Sequence, residues 1–254
     1  MSIDTPKVSI VTLLGDRNDF IPLLNFCVKH QTYSKSHIEW IILDDGKIDR
    51  SEHFKDDFIN YIRIYKKLNL GRKRQIACDI ACGEFVIFFD DDDIHFPHRI
   101  ENSVRRLQRV GSRFIVGNSK MLICNFFDEN IYEVGPFHKN HCTAGTMCFR
   151  KEIFKGTSFR ESDKAGEEAY FLKNWTIPVV QLKPEDTIIC LAHNKNTVSK
   201  EHLFIPTNIK NSLSDLNLGP ELINKVLKQG DLEVVGIQED GTWTMEIIAR
   251  VIKK

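Results

Sequence analysis

Phe85 to Asp93 reads FVIFFDDDD, five apolar residues running straight into four aspartates. A run that is apolar at every position has no solvent side, so it predicts a strand buried on both faces of a sheet. Four adjacent carboxylates at its end repel one another, and each raises its neighbours' pKa. Upstream, Asn69-Leu70-Gly71-Arg72-Lys73-Arg74 leads into a helical stretch from Arg72 to Cys82. Tyr61 to Tyr65 alternates as a strand does, and Ile38 to Leu43 (IEWIIL) ends in Asp44-Asp45-Gly46. Lys7 to Leu14 (KVSIVTLL) is a further β-branched run, followed from Asp19 to His30 by Phe20, Leu23, Leu24, Cys27 and Val28 at helical spacing.

Strands alternating with helices imply right-handed crossovers and an α/β fold, with a mostly parallel central sheet flanked by helices. In such sheets ligands gather at the carboxyl ends of the strands. Thr12, Asp44, Asp45 and Asp90 to Asp93 all fall there. Beyond Pro97, Arg99 to Val110 reads as a helix, Thr143 to Arg150 (TAGTMCFR) as a strand, Gly166 to Trp175 as a helix, and Ile177 to Leu182 and Thr187 to Ala192 as strands. Past Glu201 the pattern predicts a helix at Pro220 to Lys228, a break at Gly230-Asp231 and two strand-like runs. There is no repeat and no low-complexity linker.

The chain has 254 residues, 42% of them hydrophobic, and 35 basic against 35 acidic side chains. That length and apolar content exclude disorder, collagen and coiled coil. Zero formal net charge argues against a general nucleic-acid binder and against a polybasic membrane anchor. No run approaches a membrane span, and Met1 to Lys7 opens no signal peptide, so the sequence reads as cytoplasmic. The seven cysteines are scattered, with no C-x-x-C pair, which fits a reducing compartment and neither a disulfide framework nor a zinc ribbon. Cys78 and Cys82, four apart on a helix, are expected in the core.

The tetrad has two readings: a solvated acidic turn with Asp93 at the positive end of the following helix, or a metal–phosphate site. Its place at the end of a buried strand favours the second. Three cations at the start of the Arg72 helix oppose the helix dipole, a placement that a diphosphate would explain. Glu168, taken alone, is an ordinary surface helix carboxylate. Tyr170, Phe171 and Trp175 could stack on a sugar ring or fill a core, and Trp175 is assigned to the core.

The order and spacing of these segments resemble the inverting family-2 glycosyltransferases of GT-A fold, over about residues 7 to 200. The resemblance rests on VSIVTLL, Gln31-Thr32-Tyr33, IEWIILDDG, NLGRKRQIACDIACGEFVIFFDDDD and GEEAYFL at Gly166 to Leu172. It departs at Leu13 to Asp16, where relatives carry a Pro-Thr-Tyr-Asn type turn, and at Gln75, where Asn is usual. It implies a domain over 1–200, with a nucleotide-sugar half at about 1–110 and an acceptor half at about 111–200, and a small C-terminal extension over 201–254. Thr12 and Asp45, with Asp44, would hold the base and ribose of a nucleoside diphosphate sugar; Leu13, Gly71 and Asp90 are grouped with them on the donor side. Lys73 and Arg74 would lie near the phosphates. Asp90 to Asp92 matches the D-x-D element, with Asp91 at the ribose and Asp92 at a Mn2+ or Mg2+ ion that Asp90 and His193 would also meet. Glu168 aligns with the catalytic base, with Glu167 its alternative.

The implied partners are a donor, a UDP-sugar first, and a hydroxyl on a glycan, glycoconjugate or protein; self-association is left open. Two other readings stand beside this one. A nucleotidyltransferase would want a glycine-rich phosphate loop after the first strand, and Leu13-Leu14-Gly15-Asp16-Arg17 is not one. A catalytically inactive nucleotide- or glycan-binding module would have no need of a buried carboxylate cluster.

Overall fold

The computed structural model describes residues 5–125 and 130–212. The expectations for Pro220 to Lys228, for Gly230-Asp231 and for the strand-like runs beyond lie outside the described residues. The strands and helices in chain order are β1 (Val8–Leu14), α1 (Ile21–Lys29), β2 (Ile38–Asp44), β3 (Ile59–Arg63), α2 (Leu70–Ile80), β4 (Phe85–Phe88), β5 (Asp93–His95), α3 (Arg99–Gln108), β6 (Ile115–Gly117), β7 (Met121–Asn125), β8 (Asn130–Val134), β9 (Cys148–Arg150), α4 (Glu167–Phe171), β10 (Val179–Gln181), β11 (Ile188–Ala192) and β12 (Ile209–Ser212).

Seven strands form one sheet in the order β10-β6-β9-β4-β1-β2-β3. The pairs β1·β2, β2·β3, β1·β4 and β10·β6 are parallel, and β9 runs antiparallel to β4 and β6. This is the mostly parallel α/β architecture read from the sequence. Strand side chains alternate between faces, and the core divides accordingly. Val8, Ile10 and Leu14 pack with α1 and α3 on one face, whereas Val11 and Leu13 pack with α2 and Phe171 of α4 on the other. Every residue of β1 and β4 is buried, which is why β4 is apolar throughout and β1 is apolar but for Ser9 and Thr12, whose hydroxyls are hydrogen-bonded.

A second sheet, ordered β12-β8-β7-β11-β5, begins inside the acidic tetrad. Asp93 opens β5 and pairs with Cys190 of the antiparallel β11, so a segment almost a hundred residues downstream is fixed beside the aspartates. Beyond residue 110, β6, β9 and β10 complete the first sheet, so the two proposed halves of the domain share one ladder.

Three local expectations differ from the structure. Of Thr143 to Arg150 only Cys148–Arg150 is a strand; Ala144–Thr146 is a single 3-10 turn, tied by the Thr146 hydroxyl, which donates to the Thr143 carbonyl at 2.9 Å. The helix expected from Gly166 to Trp175 stops after five residues, and Lys173, Asn174 and Trp175 all take positive φ. So short a helix has little stability of its own. It is held by Phe171, fully buried and stacked on Phe159 at 4.2 Å, a burial worth roughly 1.5–3 kcal/mol. Trp175 is half-buried at the margin of that cluster. Cys78 is in the core as expected, but Cys82, beyond the end of α2, is exposed. No helix among the described residues is long and apolar enough to cross a membrane.

Candidate active site

The carboxyl ends of β1, β2 and β4 line two adjoining cavities, of about 390 and 220 Å³, whose common wall includes Leu13, Arg17, Leu70 and Thr197. Asp45 and Lys73 line the first; Arg74, Asp90, Asp92 and Asp93 line the second.

In the first cavity Lys73, buried on α2, donates to Asp45 at 2.8 Å and to the Leu14 carbonyl at 2.6 Å. Lys67 and the Leu68 amide complete the donors around Asp45, at 3.0 and 3.1 Å. Burial works to raise the Asp45 pKa, but the bonds from Lys73 and the Leu68 amide prevail and hold it below the usual carboxylate range. Thr12 and Asp44 are turned elsewhere. They share a face with Trp40, and Thr12 accepts the Trp40 indole N–H at 2.9 Å. Asp44 is fully buried, receiving Arg50 at 2.7 Å, the Tyr61 hydroxyl at 2.5 Å and Arg63 at 3.1 Å. The structure thus gives these two a bracing role at the sheet edge rather than a place in the cavity wall. Gly71 also has a packing reason: a Cβ there would lie 2.0 Å from the Arg160 carbonyl oxygen. Arg72 points away from both cavities, to Glu161.

In the second cavity the charge read in the sequence as needing compensation is met from three separate parts of the chain. Arg17 bridges Asp91 and Asp92, the latter at 2.8 Å. Arg74 donates to Asp90 at 3.2 Å and to Glu167. His193 Nε2 lies 3.1 Å from Asp92, and Asn196 Nδ2 donates to the same oxygen at 3.1 Å. Asp93 turns toward β11 and accepts the Leu191 amide at 3.2 Å. Burial raises Asp91 to about 6, with Arg17 opposing, and raises Asp93 to about 7, with Asp92 adding to it. For Asp92 burial is outweighed by the bond to His193 and the charge of Arg17, which bring it to about 2.

The backbone of the tetrad is set from behind. Arg99, fully buried over the Phe89 ring at 4.5 Å, donates to the Phe88 carbonyl at 2.6 Å and the Gly145 carbonyl at 2.5 Å. It also donates to His95 Nδ1, which fixes the tautomer whose Nε2–H donates to the Asp90 carbonyl at 2.8 Å. At Gly145 a Cβ would meet the Asp90 carboxylate oxygen at 2.6 Å, so any larger residue would have to shift that side chain.

Glu167 and Glu168 begin α4 and have different surroundings. Glu167 is buried against Arg74, so the Asp90–Arg74–Glu167 chain places α4 beside the tetrad. Glu168 is half-buried, and burial, then the Glu167 charge, raise its pKa to about 7. Arg17, Lys67, His95, Arg99, Asn196 and Lys200 are among the site residues that the sequence reading did not single out. Arg17 lies just after the Leu13 to Asp16 departure, and Asn196 lies in the same loop as His193.

Among the sequences of known proteins, the family model described as Glycosyl transferase family 2 matches residues 17–162. Glycosyltransferase GlyG of Streptococcus pneumoniae is 32% identical over 101 residues, which are 36% of this chain and 33% of that protein. The match thus spans about a third of the relative's length. Among solved structures, Staphylococcus aureus TarS 1-349 in complex with UDP-GlcNAc superposes with a TM-score of 0.60 at 19% identity, covering 89% of this chain and 68% of that one. Mannosyltransferase PcManGT from Pyrobaculum calidifontis, in complex with GDP-Man and Mn2+, gives 0.58 at 14% identity, covering 79% and 59%. At these identities the likeness is one of fold.

Proposed function

The chain belongs to glycosyl transferase family 2, and on that premise we propose that it moves a sugar from a nucleoside diphosphate sugar to an acceptor hydroxyl, with inversion and with the help of a divalent cation. The observation that carries this reading is the pair of adjoining cavities. One has the Asp45–Lys73 pair, suited to a nucleoside and its first phosphate; the next has the tetrad, suited to a cation and a departing diphosphate. Domain 1–200 is read as the donor and acceptor body, with 201–254 its extension.

The donor set fits Mn2+ or Mg2+. Among the described residues no three acidic, His or Cys side chains form a ready-made cage, which suits ions that take one or two carboxylates together with substrate phosphate. Asp91 Oδ2 is buried with no hydrogen-bond donor, an acceptor left over beside the place proposed for the cation. Asp92 would hold the ion, with His193 or Asp90 as a second protein ligand and substrate phosphate completing the set. When bound, it would offset the negative charge growing on the leaving diphosphate. Glu168 takes the proton from the acceptor hydroxyl as that oxygen attacks from the face opposite the diphosphate, while the bond to Arg74 turns Glu167 away from that role. TarS binds UDP-GlcNAc and PcManGT binds GDP-Man, so the donor class is a nucleotide sugar; a UDP-sugar is our first choice.

The test is thermal denaturation with UDP, GDP and their sugars, each with and without Mn2+, since a ligand at a hundred times its dissociation constant stabilises by about 2.7 kcal/mol. UDP stabilisation is expected only with the ion, and Asp92→Asn is expected to lose it, because an amide brings no charge to the cation. Unaltered, metal-independent UDP binding in Asp92→Asn would remove the metal from the reading. Asp45→Ala is expected to weaken uridine and UDP alike, by about ten-fold, the cost of one charge-assisted hydrogen bond. A loss confined to UDP, read by calorimetry, would mean that Asp45 acts only by positioning Lys73. Sugar transfer on product analysis separates this reading from a nucleotidyltransferase and from an inactive binding module.

A further inference from the structure

Arg17 stands where the cation is wanted. Its planar fork spans two neighbouring carboxylates, Asp91 and Asp92, the geometry in which a guanidinium binds most firmly. Its bond to Asp92 Oδ2, 2.8 Å long, is made to the same oxygen that faces His193 and Asn196. A divalent ion bound to that oxygen would sit at about 2.1 Å from it, within a few ångströms of the guanidinium, and two positive groups so close repel strongly. Arg17 and the ion therefore compete for Asp92.

The surroundings also show where Arg17 can go. It belongs to the wall common to both cavities, so a diphosphate reaching from one to the other passes it. Its Nε is buried without an acceptor, so the guanidinium is only partly satisfied by the aspartates. The Arg17 side chain is 19% exposed and so has open space on the cavity side, while Asp16 before it is held by the Lys47 amide at 2.7 Å.

We propose that Arg17 is the resident counter-ion of Asp91 and Asp92, that it yields Asp92 to the divalent cation, and that it passes to the donor diphosphate as it does so. This rests on the donor-site reading above and adds to it a coupling. The ion alone binds weakly because it must displace Arg17, and nucleotide recovers that loss by accepting the guanidinium, so each ligand strengthens the other by the same factor.

The experiment is calorimetric titration of Mn2+ alone, of UDP alone and of UDP with saturating Mn2+, in the wild-type protein, Arg17→Gln and Arg17→Lys. Arg17→Gln is expected to bind Mn2+ alone about ten-fold tighter and to show a mutual strengthening of Mn2+ and UDP reduced by about that factor, the direct contact of ion and diphosphate supplying the rest. Arg17→Lys, which keeps the charge but not the fork, is expected to fall between the two and guards against a fold defect. Equal or weaker Mn2+ affinity in Arg17→Gln, with Mn2+-dependent UDP binding intact in the wild type, overturns the counter-ion role and leaves the donor site standing. No Mn2+ binding by any of the three proteins, even with UDP present, overturns the metal reading and this inference with it.

Discussion

Glu168→Gln is expected to cut turnover by roughly 10²–10⁴-fold while donor affinity stays nearly unchanged. A general base acts on the acceptor oxygen in the transition state, so its loss appears in turnover and not in the binding of the nucleotide sugar. The environment is suited to that task, because burial and the adjacent Glu167 charge raise Glu168 to about 7, where a carboxylate is basic enough to take a hydroxyl proton and still ionised in useful amount. Activity of the wild type should therefore rise with pH up to a plateau above about 7, falling about ten-fold per pH unit well below it. The same shift fixes a stability signature. Folded Glu168 holds its proton to higher pH than the unfolded chain does, so its contribution is full below the ordinary glutamate pKa and is lost as pH rises through about 7. Gln cannot ionise, so Glu168→Gln should melt higher than wild type at pH 8 and no higher at pH 4. An inactive Glu168→Gln with that melting pattern identifies a base, whereas full activity would take the role from Glu168. Glu167→Gln is the control: its partner is Arg74, so its defect should be one of stability.

Arg74→Met is expected to destabilise the fold by about 3–5 kcal/mol, because it leaves the buried Glu167 carboxylate without its cation. For a domain of this size that is a fall in melting temperature of about 6–20 °C. The guanidinium also lies 4.4 Å above the Phe88 ring, which Met can still cover, so the loss reports charge more than packing. The pair Arg74→Met, Glu167→Met should recover part of the loss, since the Glu167 charge is then gone and only the partly exposed Asp90 is left without Arg74. Additive losses in the double variant, measured by chemical denaturation, would show that the two side chains are not coupled.

Much of the architecture was legible because the central strands are buried on both faces and so are mainly apolar, with Ser9, Thr12 and Glu39 the exceptions before the acidic strand ends. That signal is local and needs no partner to be read, and it placed β1, β2 and β4 and the acidic edge beyond them. Short elements were less legible. Thr143 to Arg150 has the composition of a strand, but Ala144–Thr146 turns beside Asp90, where a side chain at 145 would press on the carboxylate. Gly166 to Trp175 has the spacing of a helix, but three left-handed residues end it early.

The sequence by itself determined the α/β fold, the gathering of carboxylates at one sheet edge and the need for positive charge among them. Which cations answer that need was decided by the tertiary structure alone. Arg17 and Asp92 are 75 residues apart, Arg74 and Glu167 are 93, and His193 and Asp92 are 101, and no periodicity or propensity reaches across such intervals. The same holds for Thr12 and Asp44, whose position at strand ends was readable but whose side chains follow Trp40 to the far face of the sheet. A strand's period of two puts alternate residues on opposite faces, and only the packing of α1 and α3 on one side and α2 and α4 on the other decides which of them meets the ligand.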